Sequence, residues 1–92
     1  MSIPHGTMAL RAVDVTAEAV LLEGANQSRY ALLVVNNGAD TVYVGLDDVT
    51  DETGIPVKAG QSLSLGPPFV TAQAIYACTS GATVNVRVVE FS

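Results

Sequence analysis

The sequence predicts an all-β chain, a small β-sandwich or jelly roll of about seven to eight short, mostly antiparallel strands. Three observations predict it. Glycine and proline cut the chain into short pieces, falling after Gly6 at positions 24, 38, 45, 54, 56, 60, 66, 67, 68 and 81. The pieces between them are rich in Val, Thr, Ile and Tyr, residues that fit a pleated and half-buried surface. Turn signals recur about every ten residues, the rhythm of sandwiches and jelly rolls.

Residues 7–23 form the one piece long enough for an ordinary helix. Its alanines and leucines favour helix, whereas Val13, Val15 and Thr16 favour strand. Because everything downstream reads as β, we divide it into two strands, residues 10–15 and 19–23, with a helix as the alternative. Residues 30–36 (YALLVVN) read as a continuous apolar strand covered on both faces. Asn37-Gly38 tolerates positive φ, and residues 41–46 (TVYVGL) follow, so 36–40 is expected to be a hairpin connection between paired strands. An acidic loop comes next, with Asp47, Asp48, Asp51 and Glu52. Residues 55–57 (IPV) are extended, and the proline places them on an edge or at a strand start. Lys58-Ala59-Gly60 turns the chain into residues 61–65 (QSLSL), which alternate as a half-exposed strand does. Gly66-Pro67-Pro68 breaks the pattern. Residues 72–78 form a further strand, Ser80-Gly81 a turn, and residues 83–91 (TVNVRVVEF) the last strand. There Val84, Val86 and Val88 point one way, opposite Asn85 and Arg87. The alternation slips at Val88-Val89, the mark of a bulge or of a strand buried on both faces.

Ninety-two residues make one domain, residues 10–92, preceded by an N-terminal arm over residues 1–9. A domain of this size buries only about 60% of its chain's surface and is marginal alone, so oligomerisation is a natural remedy. The chain is 49% apolar and 14% charged, too few charges to cover an ordinary surface, which points to a partner covering some of it. A net charge of −5 with four scattered basic residues (Arg11, Arg29, Lys58, Arg87) argues against nucleic acid and against an anionic membrane. A single cysteine, Cys78, excludes an internal disulfide framework. The first residues lack the basic start and apolar run of a signal peptide, so the chain is expected to be soluble and made in the cytoplasm.

Little in the chain suggests catalysis. His5, the one histidine, belongs to the arm, where nothing orients it as a base. Cys78 sits in the apolar run AIYAC with no basic neighbour to hold a thiolate, and one His with one Cys completes no zinc site. The acidic loop offers oxygen ligands for calcium, but its spacing is not that of an EF-hand, and we read it as a solvated connection. Glu18 and Glu23 are a carboxylate pair without room for a sugar cleft. No glycine opens a helix in the manner of a phosphate-binding loop. The expectation is therefore a protein that is not an enzyme and has no cofactor, metal or catalytic residues.

Residues 36–65 (NNGADTVYVGLDDVTDETGIPVKAGQSLSL) join an Asn-rich hairpin, Val-Tyr-Val-Gly, an Asp-x-Val-Thr loop, Gly-x-Pro-Val and a Gly-Gln-Ser-Leu turn. Residues 74–91 (AIYACTSGATVNVRVVEF) add an aromatic-bearing strand, a Ser-Gly turn and a Val-rich final strand. Over roughly residues 30–91 the pattern resembles small structural proteins of tailed-bacteriophage virions. The resemblance implies a capsid decoration (cement) protein on the outer head surface, bound to the major capsid protein or another virion protein, often as a homotrimer. A tail, baseplate or head-fibre component is the alternative within that class. A carbohydrate or cell-surface binding module is the alternative outside it, although the chain has no Trp and its tyrosines, Tyr30, Tyr43 and Tyr76, lie in apolar strands. In the arm and its junction, Ile3, Met8 and Leu10 are the residues expected to reach a partner, because no acidic residue precedes Asp14.

Overall fold

A computed structural model describes residues 7–66 and 72–92. Among these residues the chain forms eight strands and no helix: β1 (Met8–Val15), β2 (Val20–Glu23), β3 (Ala31–Asn36), β4 (Val42–Gly45), β5 (Ile55–Val57), β6 (Ser62–Leu65), β7 (Ile75–Cys78) and β8 (Val84–Phe91). They build two four-stranded antiparallel sheets in the orders β1-β8-β3-β6 and β2-β7-β4-β5. The first third is thus strand, as the β character of its neighbours predicts, with β1 starting two residues earlier than expected.

The order follows from folding the chain in half. With β4 and β5 at the closed end, β5 returns along β4, β6 along β3, β7 along β2 and β8 along β1. Rolling that ladder places successive pairs alternately in the two sheets, and β8 then also meets β3 while β7 meets β4. The result is the double Greek key of a jelly roll.

This topology corrects the hairpin expected at residues 36–40. β3 and β4 lie in different sheets, so the connection crosses the sandwich rather than pairing its flanking strands. Gly38 does not take a positive φ either. It is small because a Cβ there would lie 2.7 Å from Val84 Cγ1, where the crossing chain passes close over β8. Asn36 fixes the crossing. Wholly buried at the end of β3, it donates Nδ2 to Asp40 O (2.7 Å) and Val57 O (2.9 Å) and accepts from Gly38 N (2.9 Å). Of consecutive strands only β4 and β5 pair, and Gly60, in the next connection, does adopt the left-handed conformation, at φ 76°.

The core lies between the sheets. Leu32 and Val34 of β3, Val86 and Val88 of β8, Val42 and Val44 of β4, and Leu22 of β2 are all buried in one cluster, with Leu63 and Leu65 of β6 packed at its margin. β6 alternates exposed serine and half-buried leucine as the sequence predicts. Pro56 sits on the edge strand β5, where its missing N–H does least damage. The slip at Val88-Val89 is no bulge: β8 keeps an unbroken register with β1 and with β3. The register shift falls in β2, between Leu21 and Glu23.

Connections gather at two ends. Residues 16–19, 37–41, 58–61 and 79–83 lie at one; residues 24–30 and 46–54 lie at the other, beside the start of β1 and the end of β8. The open edges are β1 and β2 on one flank, joined by Arg11 and Glu23, and β5 and β6 on the opposite flank.

Candidate functional site

A free-standing antiparallel sandwich buries one face of each sheet and wets the other, giving apolar–polar alternation. The β1-β8-β3-β6 sheet departs from that rule on its outer face. Val84, Val86 and Val88 of β8 point to the core, so Asn85, Arg87, Val89 and Phe91 point out. The register sets Leu10 and Leu33 on either side of Val89, and Met8 and Ala31 on either side of Phe91. Two adjacent rows across the sheet are therefore apolar on the outside. Val89, between its two leucines, is only 9% exposed, which resolves the Val88-Val89 slip as a strand buried on both faces. Tyr30 extends the patch, its ring 6.2 Å from that of Phe91 and its N–H donated to Phe91 O.

Toward the opposite end the same face becomes polar. Asn85 donates to Asp14 Oδ1 (3.0 Å) and accepts from Arg87 Nε (3.0 Å), a chain of three outward side chains across β1 and β8. On β6, Ser62 stands level with Val35 in the polar half, and Ser64 stands beside Leu33 at the end of the Leu10–Val89–Leu33 row. One face thus carries an apolar half and a polar half.

Met8 and Leu10, predicted as partner contacts, both lie in that apolar half and are 58% and 67% exposed. Met8 and Ala9, placed by sequence in the arm, are strand residues of β1 opposite Phe91 and Glu90, and the ladder runs on to Thr7 and Ser92. Ile3 and His5 lie outside the described residues, as do Pro67 and Pro68 of the predicted break. Sequence reasoning missed Tyr30, Leu33, Val89 and Phe91. Their signal was the doubled valine together with an apolar run in β3, which needs the β1-β8-β3 register before it becomes a patch.

A buried ion pair underlies the apolar end. Arg29, between β2 and β3, donates Nε to Glu90 Oε2 (2.8 Å), Nη1 to Gln73 O (2.7 Å) and Nη2 to Gly24 O (2.6 Å). Asn26 Nδ2 reaches the other carboxylate oxygen of Glu90 at 3.2 Å. Glu90 takes an inward position on β8 that valines hold elsewhere, and the guanidinium binds the strand to the connections on both sides. The arrangement is rigid and satisfied, as a support rather than a reactive group.

The other candidate groups stay apart. Glu18 is exposed at the β1–β2 turn while Glu23 ends β2, about 16 Å along the strand and beyond any shared site. Cys78 is buried on β7 opposite Tyr43; burial first, and then the Asp51 carboxylate, push its thiol above the ordinary range. The acidic loop is more than a solvated tether. Val49 is buried within it, over two glycines whose Cβ atoms would lie 2.8 Å from Val49 Cγ2, Gly45 and Gly54. Its turn is closed by Val49 N–H to Leu46 O and Gly54 N–H to Thr50 O. Asp47, Asp48, Asp51 and Glu52 remain on the surface, and among the described residues no three His, Cys, Asp or Glu side chains converge as a metal site. Two shallow cavities of about 360 and 330 Å³ flank the exposed Leu46, one with Asp48 on its wall and one with Asp47.

Fold and site together define a jelly-roll domain with one sheet apolar on its inner face and over half of its outer face. Comparison with family models, with curated proteins and with solved structures found no match.

Proposed function

We propose that the chain is a structural protein of a tailed-bacteriophage virion, a capsid decoration protein that attaches to the outer head surface as a homo-oligomer. The observation that carries the reading is the outer apolar face built from Met8, Leu10, Leu33, Val89 and Phe91. A lattice-binding protein needs a rigid unit with a preformed apolar contact, and the ion pair and double-sided sheet supply both. The sequence pattern of residues 30–91 supports the virion assignment, and the low charge fraction supports burial of surface in an assembly. The role requires no catalytic step and no cofactor.

The test is co-sedimentation with undecorated, expanded capsids assembled from a tailed-bacteriophage major capsid protein. The wild-type protein should pellet with capsids at micromolar concentration. Met8→Asp and Leu10→Asp place charge at exposed positions, so they should leave the β circular dichroism intact and cut binding at least tenfold. Removal of residues 1–6 reports separately on whether the arm shares the contact. Wild-type protein that stays in the supernatant at all capsid concentrations refutes the decoration role; binding to tail or baseplate particles instead selects the alternative within the class.

A further inference from the structure

A sheet edge is a row of unpaired N–H and C=O groups, and among the described residues β1, β2, β5 and β6 stand at edges. Three of them are poor templates for further pairing. β5 has three residues and contains Pro56, β2 has four and a register shift between Leu21 and Glu23, and β6 has four. β1 is different. It has eight residues, pairs with β8 without a bulge, and is exposed from Met8 to Ala12. It contains no proline and no lysine. Its one charge on the inner side, Arg11, is already paired with Glu23 of β2, and Asp14, near its far end, is held by Asn85.

The register decides what this edge offers. Thr7 and Ser92 exchange both main-chain bonds, so Thr7 aims its N–H and C=O at the β8 side. Bonded and non-bonded pairs alternate along an antiparallel ladder, which turns the N–H and C=O of Met8, Leu10, Ala12 and Asp14 outward to the open edge. The Phe91 carbonyl, opposite Met8, agrees with this phase, because it accepts from Tyr30 on the other side of β8. The side chains of Met8, Leu10 and Ala12 lie on the outer face, where the rows Ala31–Phe91–Met8 and Leu33–Val89–Leu10 run to the edge. They end there on Met8 and Leu10, the most exposed large apolar side chains among the described residues.

We infer that the partner of this edge is the β1 strand of a second copy of the chain, antiparallel about a two-fold axis at Leu10. Met8 then stands opposite the second copy's Ala12, and Leu10 opposite the second copy's Leu10. Each such pair exchanges two main-chain bonds and sets two apolar side chains together on the outer face. Opposed residues share a face, so the axis passes through a residue, and the neighbouring choices fail on chemistry or length. An axis at Arg11 sets two guanidinium groups against each other and Met8 against a carboxylate. One at Ala12 sets Leu10 against Asp14, and one at Ala9 keeps only residues 7–11 in the pair. The contact is isologous and closes as a dimer, two-fold rather than the threefold that the sequence resemblance implies. It joins the two β1-β8-β3-β6 sheets edge to edge and brings the apolar halves of their outer faces side by side. The inference rests on the homo-oligomer part of the proposed function and gives it a surface.

Sedimentation velocity of the full chain at about 100 μM should give a dimer. Ala12→Pro removes an N–H that points to the open edge and not to β8, so the β circular dichroism should persist while dimerisation weakens about tenfold or more. Disulfide trapping reads the register whatever proline does to the fold. With the axis at Leu10, Ala9 faces the second copy's Arg11 as a non-bonded pair, Cα atoms about 4.5 Å apart and within disulfide reach. An equimolar mixture of Ala9→Cys and Arg11→Cys should therefore give a mixed disulfide dimer under mild oxidation, while neither variant cross-links with itself. The wild type, whose Cys78 is buried, is the uncross-linked control. A monomeric wild type, a dimer unmoved by a folded Ala12→Pro, or self-linking of Ala9→Cys or Arg11→Cys in place of the mixed product overturns the pairing. A dimer that ignores capsids refutes decoration and leaves the pairing intact, whereas a monomer that binds capsids does the reverse.

Discussion

Glu90→Ala should strongly destabilise the β1-β8-β3-β6 sheet, and its cost can be worked from the contacts. The substitution strands the Arg29 guanidinium, whose side chain is 1% exposed, without its carboxylate, and it frees Asn26 Nδ2. Breaking a buried pair from one side costs about 3–5 kcal/mol, because the surviving charge stays desolvated. A domain of this size has roughly 5–15 kcal/mol in total, and each kcal/mol moves its Tm by about 4–8 °C, so a fall of about 12 °C or more is expected. Replacing both partners, Arg29→Met with Glu90→Leu, removes the stranded charge. It does not restore full stability, because Gln73 O and Gly24 O lose their Arg29 donors at 2.7 and 2.6 Å. Two orphaned carbonyls cost about 1–3 kcal/mol each where they are buried, and water reaching this end of the sandwich reduces that, so the double variant should lie between wild type and Glu90→Ala. Urea titration followed by circular dichroism gives all three free energies with a common m value. A Glu90→Ala loss below about 1 kcal/mol, or a double variant less stable than the single one, refutes the view of Arg29 as a desolvated charge held by its pair.

Other consequences follow from single sites. Asn36→Ala removes two donated bonds and one accepted bond at a buried crossing, and urea unfolding should show a loss of about 3 kcal/mol. Gly54→Ala puts a Cβ 2.6 Å from Tyr43 Cβ and should cost about 1–3 kcal/mol and expose residues 46–54 to limited proteolysis, whereas Gly24→Ala meets nothing within 4 Å and should change stability by less than about 0.5 kcal/mol. The raised Cys78 thiol has a signed pH effect: the unfolded thiol ionises first, so stability is whole below its pKa of about 8.5 and falls as pH rises beyond it. Cys78→Ala costs packing at both pH values, so the check is the difference in melting temperature between wild type and variant, which should shift in favour of the variant between pH 7 and pH 10. EDTA should leave the melting temperature within about a degree, since a filled calcium site would add stability by linkage.

What was legible in the sequence was whatever local chemistry decides. β6 showed its alternation in SLSL, β5 its edge position through Pro56, and β8 its inward valines, because each depends on residues adjacent along the chain. The residues 36–40 connection misled for the same reason. Asn37-Gly38 has the chemistry of a hairpin turn, but nothing local tells a turn within one sheet from a crossing between two. The answer lies with Asn36 binding Val57 O and with Val84 passing under Gly38, contacts that span 21 residues or more. The candidate site was half legible. Met8 and Leu10 stood out as exposed apolar residues near the chain start, but Phe91 and Val89 join them only through the β1–β8 register. Arg29 and Glu90, 61 residues apart, are a buried pair that no spacing rule finds.

The central position of β8 has a consequence for separating stability from function. Its inner valines hold the two sheets together, while Val89 and Phe91, alternating with them, form the middle of the outer patch. A substitution at Val89 therefore disturbs a residue that is 9% exposed and flanked by Leu10 and Leu33, and it costs packing energy before any partner is met. β1 has no such double duty over its first half, where Met8, Ala9 and Leu10 are exposed at the sheet edge. An interface built on an edge strand can change its side chains without loss of the fold, while the central strand keeps the face flat and in register. If the outer patch is the capsid contact proposed above, partner choice is concentrated in β1, and affinity lost through β8 measures the fold as much as the contact.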